Sequence, residues 1–242
     1  VGWRAIFLSL ALLTFVCILL IIIFIPKWQS KSIDNKHLNE SKLSTVWKNP
    51  LFKSLVPMGF FSYGGLFAIQ TLWAGPWMIR VSGYTPEESA QGLFIIYFCM
   101  LISFLVWGYF VPKFSKNVND AIRLLKIGAP INLFVLIIII YLGSKAGSIH
   151  WALFIVSSIF LSLTQPAVGM AFSLSNAGKA LTSFNLLIFI GAFFIQWIIG
   201  LIIDAGIAFN LSEIDSFKLA MTFVLITSLL SYLFFLRKVK IN

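Results

Sequence analysis

Two glutamines embedded in long apolar stretches are the side chains here best suited to recognising another molecule. Gln70 shares a seven-residue spacing with Tyr63 and Trp77, with Phe67 and Ala74 between. Residues seven apart return to nearly the same face of an α-helix. Gln165 belongs to a second stripe, Ser158, Ser162, Gln165 and Gly169. An amide without a partner in hydrocarbon costs several kcal/mol, so each glutamine must face protein, water or a solute. Two readings stay open. The amides line a cavity and meet a solute, or they hydrogen-bond between helices and hold a bundle together.

Other side chains extend the candidate set. Trp73 either gates the outer end of its helix or anchors it in an aromatic belt, whereas Trp77, beside Arg80, is expected in the belt. Tyr97 either lines the cavity or fills a lipid-facing surface, and its hydroxyl demands a partner. Asn185 and Gln196, eleven apart, share one face and are expected to pack or gate against a neighbouring domain. Asp204 is expected to form a salt link or be solvated at the outer end of its helix, His37 and His150 to be solvated in loops, and Lys179 to snorkel to headgroups.

The missing chemistry is as informative. No Asp, Glu, Lys, Arg or His lies deep in an apolar stretch, although such residues mark proton relays and charged-solute sites. Catalysis would need paired acids, a His cluster or a Ser–His pair at matched depth. None is readable, so no enzyme and no cofactor is expected. Cys17 and Cys99 both fall inside apolar stretches and give neither a disulfide framework nor a metal site.

Composition fixes the elements that carry these residues. The chain is 60% apolar and 11% charged, with 25 phenylalanines among 242 residues, against about 45–50% apolar and roughly 25% charged for a soluble domain. Seven stretches are long enough to cross a bilayer: 5–25, 54–79, 89–111, 121–143, 151–175, 180–203 and 217–236. Transmembrane strands would be about ten residues long and strictly alternating; Val135-Leu136-Ile137-Ile138 is neither. The expected fold is an all-α membrane protein with seven transmembrane helices. The first stretch is too long for a signal peptide and no small-residue cleavage site follows it.

Charge sets the topology. Fourteen lysines and arginines fall in alternate loops and the tail, including Lys27, Lys48, Lys53, Lys113, Arg123, Lys179 and Lys238. Only Arg4, Arg80, Lys145 and Lys218 lie on the other side. The positive-inside rule places the larger group in the cytoplasm, with the N-terminus outside and the C-terminus inside. The net charge of +10 is thus a topology signal and implies no nucleic-acid partner.

The stretches differ in kind. Those at 5–25, 121–143 and 217–236 are almost wholly aliphatic and aromatic, apart from isolated hydroxyls and Asn132, and are expected to face lipid. The stretch at 54–79 carries Gly59, Gly64, Gly65, Gln70 and the Gly75-Pro76 break, and that at 151–175 carries Ser158, Ser162, Gln165, Pro166 and Gly169. After the polar, basic segment 26–53, read as a linker, the polar helices are first and fourth of six and the most apolar are third and sixth. A three-helix pattern therefore occurs twice. Interrupted segments at matching positions of such repeats point to a solute site.

At this point the chain resembles the C-terminal half of a major facilitator superfamily transporter. Gly2-Trp3-Arg4 resembles the family's outer turn before its sixth helix, and the basic linker its central cytoplasmic loop. Leu72-Trp73-Ala74-Gly75-Pro76-Trp77 is similar to the end of the seventh helix in bacterial members, and Gly191-Ala192-Phe193-Phe194-Ile195-Gln196, with Gly200 and Asp204, to the eleventh. Gly108, Lys113 and Lys116 fit the pattern of the loop between helices eight and nine, but Pro112 stands where the family has an acid, against an Asp-based latch. Nitrate porters carry an arginine in helix eight; the stretch 89–111 has none.

The resemblance implies a domain plan: 1–25 as the last helix of a truncated N-terminal domain, 26–53 as a cytoplasmic linker, and 54–242 as a six-helix C-terminal bundle of two three-helix repeats. It implies a multi-pass protein of the inner membrane, moving a small solute by alternating access, with the N-terminal half missing as partner. The opening at Val1 rather than Met agrees with a chain cut from a longer one. The substrate-binding candidates are Tyr63, Gln70, Trp73, Tyr97, Ser158, Ser162 and Gln165. A stand-alone seven-helix receptor or sensor is the alternative. Its retinal-binding form would need a mid-span lysine, and Lys179 stands at a helix end.

Overall fold

A computed structural model of the chain describes residues 3–24 and 43–239. Most of the expected linker, with Lys27, Lys31, Lys36 and His37, lies outside the described residues, as does Lys240. The described residues form eight helices and no strand: α1 (Trp3–Phe24), α2 (Leu43–Lys48), α3 (Pro50–Arg80), α4 (Pro86–Phe114), α5 (Val118–Leu142), α6 (Ser148–Met170), α7 (Leu174–Ala208) and α8 (Glu213–Lys238). All but α2 belong to segments long and apolar enough to cross a membrane. The protein is an all-α, multi-pass membrane protein.

The chain divides into two compact units, Val1–Glu40 and Ser41–Asn242. The first contains α1, an apolar helix whose two described hydroxyls are satisfied by their own turns: Ser9 donates to the Ile6 carbonyl (2.9 Å) and Thr14 to that of Leu10 (2.8 Å). The second unit contains α2–α8.

Short polar loops set where its helices begin. Asn49 accepts from the Phe52 N–H (3.0 Å), with Pro50 in the first turn, and starts α3. Thr85 and Glu88 cap each other's N–H groups at α4 (3.2 and 2.8 Å). Asn117 and Ser212 do the same work at α5 and α8, each accepting at 3.0 Å. Satisfying these first N–H groups beside the bilayer fixes the ends between which each apolar run must cross.

Glycine lets α3 press directly against α7. A Cβ on Gly191 would overlap the carbonyl of Phe60, and one on Gly64 would meet the Gly191–Ala192 backbone at 2.8 Å. Close backbone approach of this kind gains dispersion contact where lipid leaves no hydrophobic driving force between helices. On the other side, Phe160 of α6 fills the space over Gly128 of α5 and meets Trp107 of α4 edge-on, with ring centroids 5.0 Å apart. Half of the apolar stretch of α3, and half of that of α6, is buried, against 6% for α4. The two helices richest in polar residues are the central ones.

Four expectations are corrected. The stretch at 217–236 is not wholly lipid-facing: Phe217, Ala220, Met221, Val224, Ser228 and Ser231 of α8 are buried. Ser228 donates to the Phe61 carbonyl (3.5 Å), and Ser62 donates to Ser231 (2.8 Å), whose own proton goes to the Ser228 carbonyl. In α5, Asn132 is buried and its amide donates to the Phe154 carbonyl (2.9 Å) and the Ser157 hydroxyl (3.0 Å), tying α5 to α6. Trp77 is fully buried rather than in an interfacial belt; its ring meets Trp151 edge-on and its indole N–H donates to the Ala146 carbonyl (3.3 Å). His150 is half-buried, not solvated, and its Nδ1 is shut from solvent without a partner.

Candidate functional site

Irregular turns decide where the site forms. In α3 the stretches Met58–Tyr63 and Ile69–Trp73 are wound as wider π-helical turns, and in α6 the stretch Ser158–Leu163 is wound tighter, as a 3-10 helix. Pro76 and Pro166 follow two of these turns; with no N–H to give and a ring that crowds the carbonyl four residues back, each disturbs the ladder in the turn before it. Pro57 stands directly before the wide turn at Met58. The expected break at Gly75-Pro76 takes another form: the helix continues to Arg80, and the irregularity is absorbed in the turn before the proline.

Between these irregular turns lies a cavity of about 110 Å³. Tyr63, Leu66, Phe67 and Gln70 of α3 form one wall, Met100 and Phe104 of α4 a second, and Ser158 and Ser162 of α6 the third. Four residues expected to line a cavity therefore meet at one. The helical spacing that grouped them within each stripe is what places them there.

The polar groups are partly engaged and partly open. The Gln70 amide donates to the Met100 thioether at 3.0 Å. Sulfur of this kind is a weak acceptor, so the contact orients the amide without saturating it. Ser158 and Ser162 each donate to the carbonyl three residues back, Ile155 and Ile159, both at 2.6 Å. Their protons are spent, but their oxygen lone pairs still accept. The lining holds no ionisable acid or base other than the Tyr63 phenol. The arrangement can recognise N–H and O–H donors and offers no fixed charge.

The remaining candidates lie around this cavity. Tyr97 is partly exposed on α4, and its hydroxyl donates to the Gln70 carbonyl at 2.8 Å. Gln165 is half-buried on α6 and does not line the cavity. Trp73 turns toward α7, where its indole donates to the Gln196 carbonyl (3.2 Å) and its ring meets Phe217 edge-on. The Gln196 side chain donates to the Thr71 hydroxyl (2.7 Å), which donates on to the Phe67 carbonyl (2.6 Å). Gln196 thus joins α7 to α3; Asn185 is half-buried farther along α7.

Sequence reasoning missed Leu66, Met100 and Phe104. A signal existed for α4, since Tyr97, Met100 and Phe104 fall at positions i, i+3 and i+7 of one helix face. Among the described residues, no group of three or more His, Cys, Asp and Glu side chains is placed to hold a metal ion.

Comparison with known protein families matches residues 1–196 to the family model described as Major Facilitator Superfamily. No curated protein matches the chain, and no solved structure does.

Proposed function

Since this chain belongs to the Major Facilitator Superfamily of membrane transporters, we propose that its bundle α3–α8 supplies one wall of a solute pathway worked by alternating access. The observation carrying this reading is the meeting of Tyr63, Gln70, Ser158 and Ser162, from two irregular helices, at one uncharged cavity. Its volume of about 110 Å³ holds only a few waters at about 30 Å³ each. Pockets that enclose a ligand start near 300 Å³. This size supports a wall completed by further helices, in keeping with residues 54–242 as a C-terminal transporter domain preceded by a linker and by α1.

The solute is small, neutral and rich in N–H or O–H donors. Three hydroxyls, of Tyr63, Ser158 and Ser162, and one amide, with no fixed charge, favour that class over an anion. The family favours transport over the seven-helix receptor and over enzymatic chemistry. The excess of lysine and arginine at the starts of α3 and α5 and the end of α8 supports a cytoplasmic placement of that end in an inner membrane.

Cysteine labelling tests the pathway without knowledge of the solute. In a Cys17→Ser, Cys99→Ser background, single cysteines at Gln70 and Ser162 are expected to react with a membrane-impermeant maleimide added from either side. A cysteine at buried Leu136 or lipid-facing Phe134 is expected to stay unlabelled. Protection of positions 70 and 162 from both sides would remove the reading.

A further inference from the structure

A groove between α3 and α8 lies apart from the solute cavity. At its basic end Lys48, Lys53 and Lys238 surround a hollow of about 450 Å³, walled also by Pro50, Ser54 and Phe234. No carboxylate lines it, and none of the three lysines makes an ion pair among the described residues. Phe234 also borders a second hollow of about 210 Å³, with Pro57, Phe61, Thr227, Leu230 and Ser231 as its other walls.

The two hollows follow each other along the helices. On α3 the lining residues step from Pro50 through Lys53 and Pro57 to Phe61, and on α8 from Lys238 through Phe234 and Leu230 to Thr227. These are three- and four-residue steps, so each helix presents one continuous stripe. The hydroxyls in the second hollow are already spent. Thr227 donates to the Phe223 carbonyl (2.9 Å), and Ser231 donates to that of Ser228 (2.8 Å) while accepting from Ser62. What the second hollow offers is hydrocarbon. From Lys53 to Phe61, or from Lys238 to Leu230, is eight residues, about 12 Å of helix. That approaches the roughly 15 Å of hydrocarbon in one leaflet.

We propose that this groove binds one anionic glycerophospholipid from the surrounding bilayer, with the phosphate among Lys48, Lys53 and Lys238 and an acyl chain along Phe61, Leu230 and Phe234. Three cations around one hollow, without an ion pair among the described residues, complement a single anionic headgroup. They repel the quaternary ammonium of a choline lipid, which gives the site its selectivity. A soluble phosphate satisfies the lysines but leaves the apolar slot unfilled; the slot is what commits the site to a lipid.

The full chain, purified in mild detergent, is titrated with phosphatidylglycerol or phosphatidylcholine, and retained lipid is counted by native mass spectrometry. One phosphatidylglycerol per chain is expected to be retained about tenfold better than phosphatidylcholine. Lys48→Gln, Lys53→Gln and Lys238→Gln together are expected to abolish that preference. Lys113→Gln, Lys116→Gln and Arg123→Gln together, an equal loss of charge at the same end of the bundle, are expected to leave it intact. Leu230→Trp is expected to weaken retention with every lysine in place, and glycerol 3-phosphate is expected not to compete. All these positions are exposed, so matched thermal unfolding confirms that the variants fold. Equal retention of the two lipids, equal loss in the control triple variant, or full competition by glycerol 3-phosphate overturns the proposal.

Discussion

The hydroxyl of Tyr97 donates to the main-chain carbonyl of Gln70 across 2.8 Å, fastening α4 to the widened turn of α3. The acceptor lies in a stretch where the usual helical ladder is disturbed, so a side chain from the next helix serves as its partner. The same residue therefore offers its carbonyl to α4 and its amide to the cavity. Tyr97→Phe keeps the ring and removes only the hydrogen bond. It is expected to cost about 1 kcal/mol, read as a lowered thermal midpoint in detergent, and to increase maleimide labelling at position 70. Unchanged stability and labelling would show that the bond holds nothing in place.

The contact of α3 with α7 gives a sharper contrast. Gly191 has no room for a methyl group because the Phe60 carbonyl occupies the space, whereas nothing lies within 4 Å of the corresponding position on Gly108. Gly191→Ala is expected to destabilise the bundle by about 1–3 kcal/mol. Gly108→Ala, in an exposed helical turn, is expected to be neutral or to add up to about 1 kcal/mol through helix propensity. Thermal unfolding of the two variants side by side decides whether the backbones approach as closely as described.

The polar cavity residues were legible because each stripe is local: Tyr63 and Gln70 share one helix face, and Ser158 and Ser162 share another. What stayed hidden depends on partners distant in sequence. Trp77 sits beside Arg80 and was expected in an interfacial belt, yet its position is set by Trp151 from α6 and the Ala146 carbonyl. Ser228 and Ser231 read as isolated hydroxyls until α8 is laid against α3, where Ser62 and the Phe61 carbonyl meet them. Periodicity reports which residues share a face and carries no information on what that face meets. The wide and tight turns were legible only as a generic break, since a proline removes an N–H without specifying how the backbone around it adjusts.

The ion pair between Arg80 and Glu213, 3.3 Å apart with both side chains well exposed, joins the end of α3 to the start of α8. Exposed pairs contribute little, about 0–1 kcal/mol, because solvent screens them. Glu213→Gln is expected to shift the thermal midpoint by less than Gly191→Ala does, and the shift is expected to vanish in high salt. A large, salt-insensitive loss would mean that this junction bears more of the fold than its exposure implies.

Asn132 and Gln70 are both amides within apolar helices, and their surroundings assign them different work. Asn132 is 7% exposed, and its two N–H bonds both go to α6, to the Phe154 carbonyl and the Ser157 hydroxyl. Its replacement by Ala removes both bonds to α6, although Ser157 still donates to the Phe154 carbonyl (2.8 Å), and is expected to cost about 1–3 kcal/mol. Gln70 is less buried, and among the described residues its side chain donates only to a thioether, so Gln70→Ala is expected to change the stability by no more than about 0.5 kcal/mol. Uptake is expected to respond in the opposite order. For a neutral solute that cells accumulate when they express this protein, Gln70→Ala at matched membrane level is expected to slow uptake by up to about tenfold, since one lost neutral hydrogen bond is worth up to about 1.4 kcal/mol. Asn132→Ala, once expression is matched, is expected to stay within about twofold. A Gln70 variant that unfolds early yet transports normally would reassign that amide to the scaffold and leave the cavity without its only donor of an N–H.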